Sequence, residues 1–343
     1  MRKILSIFTA MLCAIAVNAA VIQITPTSPH SSDNLRQALN DAATGDIIEM
    51  ASGTYEESPE NYIAFTGKEV TVRAAEGANV VIVPKVPIRL KSGARAEFIG
   101  VKFDCGHLSD VNSYSHMIVP ADNSDGKRVI LNDCEFYNWQ QVSSLIQTPS
   151  DRKLDSLVIE NCYFHDCYQS CLHYTNANLV GLEIKNSLFA NITIPATGEY
   201  WAAPIHVAAT TGTVLVDHCT FYNVVPRSLG YGVITTASGS AVVSNCIFML
   251  PESADMCATN LPEGGEVKNS LTFQYDNWQP YGHYTTATVT NCIGGDPLFA
   301  DAAHGDFYLR EGSPALTAGM DGGIIGACPA AQMKTLYCKM EQD

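Results

Sequence analysis

Basic residues are scarce. Across 343 residues, 20 lysines and arginines stand against 35 aspartates and glutamates, a formal charge of −15. Repulsion on that scale excludes nucleic acid and anionic membranes as partners, and it would repel an acidic glycan too unless a cation or a local basic patch intervened. Long apolar runs are also missing after the first twenty residues, so no segment is expected to insert into a bilayer. A tight helical or leucine-rich period is absent as well, which argues against the common helical and leucine-rich solenoids. The one apolar run, MRKILSIFTAMLCAIAVNAA, has Arg2 and Lys3 at its start and small residues at its end. It reads as an export signal over residues 1–20, and Cys13 lacks the small residues that precede a lipidated cysteine. The expected product is soluble, monomeric and released to the periplasm or the cell exterior, and loss of Arg2 and Lys3 takes its charge to about −17.

What is present is a repeat. VILNDCEFYN from Val129 returns as LVIENCYFHD, LEIKNSLFAN, VLVDHCTFYN and AVVSNCIFML, with weaker copies at VKNSLTF, VTNCIGG and FIGVKFDCG. One aligned position runs through Val101, Cys134, Cys162, Ser187, Cys219, Cys246, Ser270 and Cys292, at steps of 22 to 33 residues. Short alternating strands with loops of variable length are the pattern of a parallel β-helix, whose coils accept insertions at their turns. Two residues further on stand Phe103, Phe136, Phe164, Phe189, Phe221 and Phe248, a second inward column. The residue before the cysteine position is Asp133, Asn161, Asn186, His218, Asn245, Asn269 and Asn291; five asparagines of seven predict an amide ladder at a turn. In residues 33–44, Leu35, Ala38, Leu39 and Ala42 share one helical face, so an N-terminal capping α-helix is expected before a single all-β parallel β-helix over 21–327, with a tail at 328–343.

The densest cysteine run, IENCYFHDCYQSCLHYT, raises a zinc site or a disulfide knot as alternatives to packing. Cys162 is claimed by the interior column and CYQSC has no second matching knuckle, so reduced, buried thiols are the expectation. Stacked in-register thiols also have poor disulfide geometry. Cys328 and Cys338, outside the column, remain candidates for a bridge.

With these repeats in view, the chain resembles the right-handed parallel β-helix proteins of the pectate lyase superfamily. ALNDAATGDIIEMASGTY is similar to the first coil of alginate lyase and chondroitinase B-type polysaccharide lyases, and DPLFADAAHGDFYLREGSPALTAGMDGGIIGA to the last coil of exported bacterial β-helix proteins. The resemblance implies a sugar-binding groove along one sheet, formed by the strands SHMIVP, SSLIQT, SCLHYT, APIHVA and YGVITT. Aligning Met117, Leu145, Leu172, Ile205 and Val233 inward places Ile118, Ile146, His173, His206 and Ile234 outward, with the two histidines side by side. Nearby loops carry Tyr168, Gln169, Glu199, Tyr200 and Trp201, which suit stacking on sugars and bonding to hydroxyls, followed by Arg227 and Tyr231.

In the lyases it resembles, a lysine and an arginine act as base and acid near calcium. Here the corresponding strands show Gln147 and Thr148, then His173 and Tyr174, and no lysine. Two readings stay open. In the first, His173 and His206 transfer protons, with Tyr174 or Tyr231 assisting and Arg227 at a uronate carboxylate; the residues demand no cofactor, and the resemblance admits Ca²⁺. In the second, the protein is a non-catalytic glycan-binding or adhesin-type β-helix. The histidines also fit a plain solvated pair, and a register slip of one residue would bury them.

Overall fold

Alternation within each repeat sets the chain turning around a common axis. The computed structural model describes residues 19–26, 33–57, 62–107, 116–140, 144–149, 151–168, 170–174, 180–194, 203–208, 212–226, 232–251, 257–273 and 286–327. Residues 1–18 of the expected signal, Cys13 among them, and Cys328 and Cys338 lie outside them, while Ala20, the last residue of that expected signal, donates its amide to Asp46 Oδ1 at 2.9 Å. Successive strands visit three sheets in turn, giving parallel sheets of eleven, ten and eight strands. Because the next strand in each sheet comes from the next coil, the architecture is a parallel β-helix, and crossovers between parallel strands favour the right hand. An antiparallel pair, Phe299–Asp301 with Asp306–Leu309, follows the last coil.

The core is a set of like-on-like columns. In the eleven-stranded sheet Phe98, Leu131, Ile159, Ile184, Val216 and Val243 pair in register. In the ten-stranded sheet Phe103, Phe136, Phe164, Phe189, Phe221 and Phe248 stack nearly parallel, with centroid spacings between 4.6 and 5.0 Å. That spacing is the distance between strands, so parallel registration imposes the stack. The helix Asp33–Asp41 packs Leu35, Ala38 and Leu39 inward, and Ala42 just after it is buried too.

The corner between these two sheets is where the repeat consensus is spent. Asp133, Asn161, Asn186, His218, Asn245, Asn269 and Asn291 all have φ between 45° and 55°. Asparagine tolerates this left-handed region better than most residues, which explains its recurrence. The amide of Asn186 donates to Asn161 Oδ1 at 2.6 Å, and that of Asn161 to Asn132 Oδ1 at 2.9 Å. His218 interrupts the run, and Asn245 donates instead to Asp217 Oδ1 at 2.8 Å. Asn161, Asn186 and His218 are half-buried, Asn245 and Asn269 are the buried members of the ladder, and Asp133 and Asn291 at its ends are exposed.

The cysteines at this corner do more than fill space. Each thiol reaches a carbonyl of the preceding coil, as Cys134 Sγ does at Phe98 (3.4 Å) and Cys162 Sγ at Leu131 (3.4 Å). Where serine replaces cysteine, Ser187 Oγ accepts from the Cys162 amide at 3.1 Å and donates to the Lys185 carbonyl at 2.8 Å. All nine described cysteines are free thiols, and burial pushes those of Cys162 and Cys246 well above the usual range.

A second ladder lies at the far end of the same strands. Asn138, Asp166, Asn191 and Asn223 also hold positive φ, and Asn223 Nδ2 donates to Asn191 Oδ1 at 2.9 Å. The last letter of EFYN, YFHD, LFAN and TFYN carries it, a regularity the sequence reading left without a role. Beyond the last coil the chain folds back: Gly326 (φ 88°) sits so close that a Cβ would lie 2.5 Å from Ile247 Cδ1, and the Ala327 amide donates to Thr220 Oγ1 at 2.9 Å.

Two outcomes test this packing. Asn161→Ala should destabilise the chain by about 1–3 kcal/mol through strain and a lost amide bond, and Asn161→Gly by less, in chemical denaturation. Alkylation of the native protein at neutral pH should spare Cys134, Cys162, Cys219 and Cys246, all of which react once the chain is unfolded.

Candidate functional site

The eight-stranded sheet is the face the sequence pointed to, and its register decides what that face presents. Ile88, Ile118, Ile146, Leu172, Ile205 and Ile234 pair in one inward row. The sequence alignment therefore slips by one residue at three strands: Ile118, Ile146 and Ile234 face inward, and Val119, Gln147 and Thr235 take the outward places. Met117 and Leu145 immediately precede their strands and are buried as well. Two consecutive buried residues defeat a reading based on strict alternation.

The outward row thus runs Arg89, Val119, Gln147, His173, His206, Thr235 and Asn260. His173 and His206 are direct partners, with ring centroids 5.0 Å apart and planes at 19°. His173 is nevertheless fully enclosed, at 0% exposure, while His206 keeps partial access. Enclosure pushes the His173 imidazole down to about 2, with repulsion from His206 and His116 adding to it. His116, whose Nδ1 lies 3.1 Å from the Ser144 carbonyl, is driven by burial to about 4. At neutral pH both are uncharged, so neither supplies a cation for an acidic ligand.

Tyr174 lies on the interior side of its strand, in register with Thr148 and Val207. It is fully buried, and burial raises its phenol pKa, so its hydroxyl is turned away from the face on which His173 stands. Tyr168 is 54% exposed and lines a cleft of about 260 Å³ with Gln140 and the second ladder, Asn138, Asp166, Asn191 and Asn223. Gln169, Glu199, Tyr200, Trp201, Arg227 and Tyr231 lie outside the described residues. Among the described residues, no group of three or more His, Cys, Asp or Glu side chains is arranged to hold a metal ion.

The row opens at its N-terminal end, on strands that the sequence reading did not align. Ala64–Thr66 pairs with Ile88–Lys91, placing Arg89 at the head of the outward row and Lys91 two residues along on the same face. The Arg89 guanidinium stacks over the Tyr62 ring at 4.3 Å, and Lys91 Nζ donates to the Tyr62 hydroxyl at 3.3 Å. That hydrogen bond, together with the two positive charges, lowers the Tyr62 pKa. Behind them Glu57 is fully buried and pushed up to about 7, its carboxylate accepting from the Ile63, Lys85 and Val86 amides.

Most described lysines and arginines end on a carboxylate, as do Arg73 on Glu49, Lys102 on Glu135 and Lys153 on Asp125. Among the described residues neither Arg89 nor Lys91 does. The signal for this site was in IRLK, where Ile and Leu alternate with Arg and Lys over a preceding tyrosine.

No family model and no curated protein matches the chain. Among solved structures it is similar to the PL6 family alginate lyase AlyGC (16% identity, TM-score 0.48, covering 81% of this chain and 40% of that one) and to a mutant of the same enzyme (16%, 0.49, 80% and 40%). It is also similar to pectate lyase Pel9A, at 9% identity and a TM-score of 0.33, over 91% of this chain and 98% of the other. The chain spans 40% of the length of the alginate lyase structures. The fold stands on the topology of the three parallel sheets, which is that of a parallel β-helix.

The enclosed histidines carry a consequence for pH. Unfolded histidine takes its proton near 6.5, while His116 and His173 hold theirs only near 4 and 2. Their contribution to stability is therefore complete above about pH 6.5 and lost as pH falls. The thermal midpoint should drop between pH 7.5 and pH 5, and His173→Phe, which keeps a ring against His206, should show a smaller drop.

Proposed function

We propose that the protein is an exported, carbohydrate-active β-helix that binds an acidic polysaccharide along the outer face of its eight-stranded sheet, entering at Arg89, Lys91 and Tyr62. The helix Asp33–Asp41 serves in this reading as the cap that closes the first coil, and the mature chain acts as a monomer in the periplasm or outside the cell. The observation that carries the proposal is the pair of cations without carboxylate partners, seated on an aromatic ring at the head of the outward row. In a chain of charge −15 this is the local basic patch that an acidic glycan would need. An aromatic face for the sugar and two cations for carboxylates suit a uronic-acid chain lying parallel to the helix axis.

The enclosure of His173 weighs against elimination at the histidine pair and favours binding there as the simpler role. Alginate and pectate, the polysaccharides in the names of the similar enzymes, are the first probes.

The test is retardation in native gels cast with alginate, polygalacturonate or a neutral glucan. The acidic polymers should slow the protein and the glucan should not. Added salt should weaken the effect, and the double substitution Arg89→Gln with Lys91→Gln should reduce affinity by about tenfold or more, equivalent to ~1.4 kcal/mol. Equal retardation by neutral and acidic polymers would refute the proposal.

A further inference from the structure

We infer that the export signal is removed by hydrolysis of the bond between Ala19 and Ala20, and that the α-amino group so created on Ala20 forms an ion pair with the buried carboxylate of Asp46. The inference rests on the export reading above and moves the boundary of the expected signal back by one residue. It is independent of the polysaccharide-binding face.

The sequence leaves three bonds to choose among. A peptidase that removes export signals selects small side chains at the first and third residues before the cut. For a cut before Ala20 these are Ala19 and Val17, whereas a cut before Val21 puts the polar Asn18 in the third place. Ala16 and Ala14 meet the same spacing for a cut before Val17, but that bond lies inside the apolar run.

The fold distinguishes them. The Ala20 amide donates to Asp46 Oδ1 at 2.9 Å, and the Ala20 carbonyl accepts from the Ile47 amide at 2.9 Å. Ala20 leads directly into the strand Val21–Ile24, which pairs in parallel with Ile47–Met50 at the edge of the eleven-stranded sheet. A cut before Val21 discards both bonds. A cut before Val17 keeps them but leaves the Ala20 nitrogen a neutral amide.

Asp46 supplies the reason for a charge at that nitrogen. It is 7% exposed, in the turn between the helix Asp33–Asp41 and the strand Ile47–Met50. Its Oδ2 accepts from the Ala43 amide at 2.7 Å, so backbone donors hold both oxygens. Those amides keep its pKa below the usual carboxylate range, and the group is ionised at neutral pH. Among the described residues Lys68 is the one charged side chain that acts on it, and the Lys68 ammonium is bonded to the carbonyls of Leu39, Asn40 and Ala42. A buried carboxylate is costly without a paired cation, and an α-ammonium at Ala20 is that cation.

The step balances with water as the co-reactant and the peptidase as catalyst. The oxygen of water bonds to the Ala19 carbonyl carbon, the C–N bond to Ala20 breaks, and the nitrogen leaves with its electron pair. Ala19 departs as a carboxylate, and both hydrogens of the water end on the Ala20 nitrogen as an ammonium. The hydrogen bond to Asp46 thereby gains a charged donor, the stronger kind. Signal removal thus tightens the contact that fixes the first strand to the second.

The assigned bond is tested by expressing the full chain in a bacterial host with a periplasm and reading the recovered protein by N-terminal sequencing and intact mass. The expected product begins Ala20, Val21, Ile22. A chain outside the cytoplasm that is uncut or begins elsewhere would overturn the assigned bond and leave export standing. An uncut chain confined to the cytoplasm would overturn the export reading and this inference together. The ion pair is tested on two purified chains, one beginning at Ala20 and one at Ala19, which keeps the same donor as a neutral amide. At pH 7 the chain beginning at Ala20 should melt about 2 °C or more above the other. A free α-amino group titrates near pH ~7.7–8.0, and pairing with Asp46 raises that value. The contribution is complete below about pH 7.7 and lost as pH rises through the raised value, so the gap should close by about pH 10.5. Asp46→Asn in both chains should remove the gap at pH 7. Equal midpoints of the unsubstituted chains at pH 7, a gap that persists unchanged at about pH 10.5, or a gap that survives Asp46→Asn would overturn the ion pair.

Discussion

Everything in this molecule depends on one constraint: neighbouring coils are parallel and in register, so each side chain stands directly on its counterpart about 4.8 Å away. A column of like residues satisfies that geometry when they are flat, small or mutually hydrogen-bonded. Phenylalanine stacks, asparagine amides chain from one coil to the next, and thiols and hydroxyls alike reach the carbonyl two residues before them. A residue that cannot tile this way, such as His218 in the asparagine ladder, forces a local detour through Asp217.

The same rule governs the functional face. Stacking two histidines in adjacent coils brings their rings to 5.0 Å, and burial lowers the pKa of both, most strongly that of the enclosed His173. Stacking tyrosine beneath arginine and beside lysine does the opposite, because the ring and the hydroxyl stabilise cations and the cations stabilise the phenolate. The head and the middle of one row thus acquire contrasting electrostatics from the identity of the residues that share it. Positive charge on this row is concentrated at Arg89 and Lys91, while the middle of the row is covered.

Legibility followed periodicity. The inward columns of the two long sheets were readable because their repeats keep a cysteine, a phenylalanine and an asparagine at constant offsets. The third sheet was harder: its strands are three to five residues long and flanked by loops of unequal length, and buried residues such as Met117 and Leu145 extend the apolar run past the strand start. That is why His173 and His206 could be paired correctly while Ile118, Ile146 and Ile234 were turned the wrong way. Tyr174 followed from the same strand: once His173 faces outward, its neighbour must face the core.

By itself the sequence determined the β-helix, the ladder corner, the reduced state of the stacked thiols and the adjacency of His173 and His206, because each is a consequence of repetition along one axis. Only the tertiary structure decided that His173 is enclosed, that Tyr174 is interior, and that Tyr62 meets Arg89 and Lys91. These depend on how adjacent coils and their turns come together in space. Sequence spacing carries no measure of that, since Tyr62 and Lys91 are 29 residues apart yet joined by a hydrogen bond.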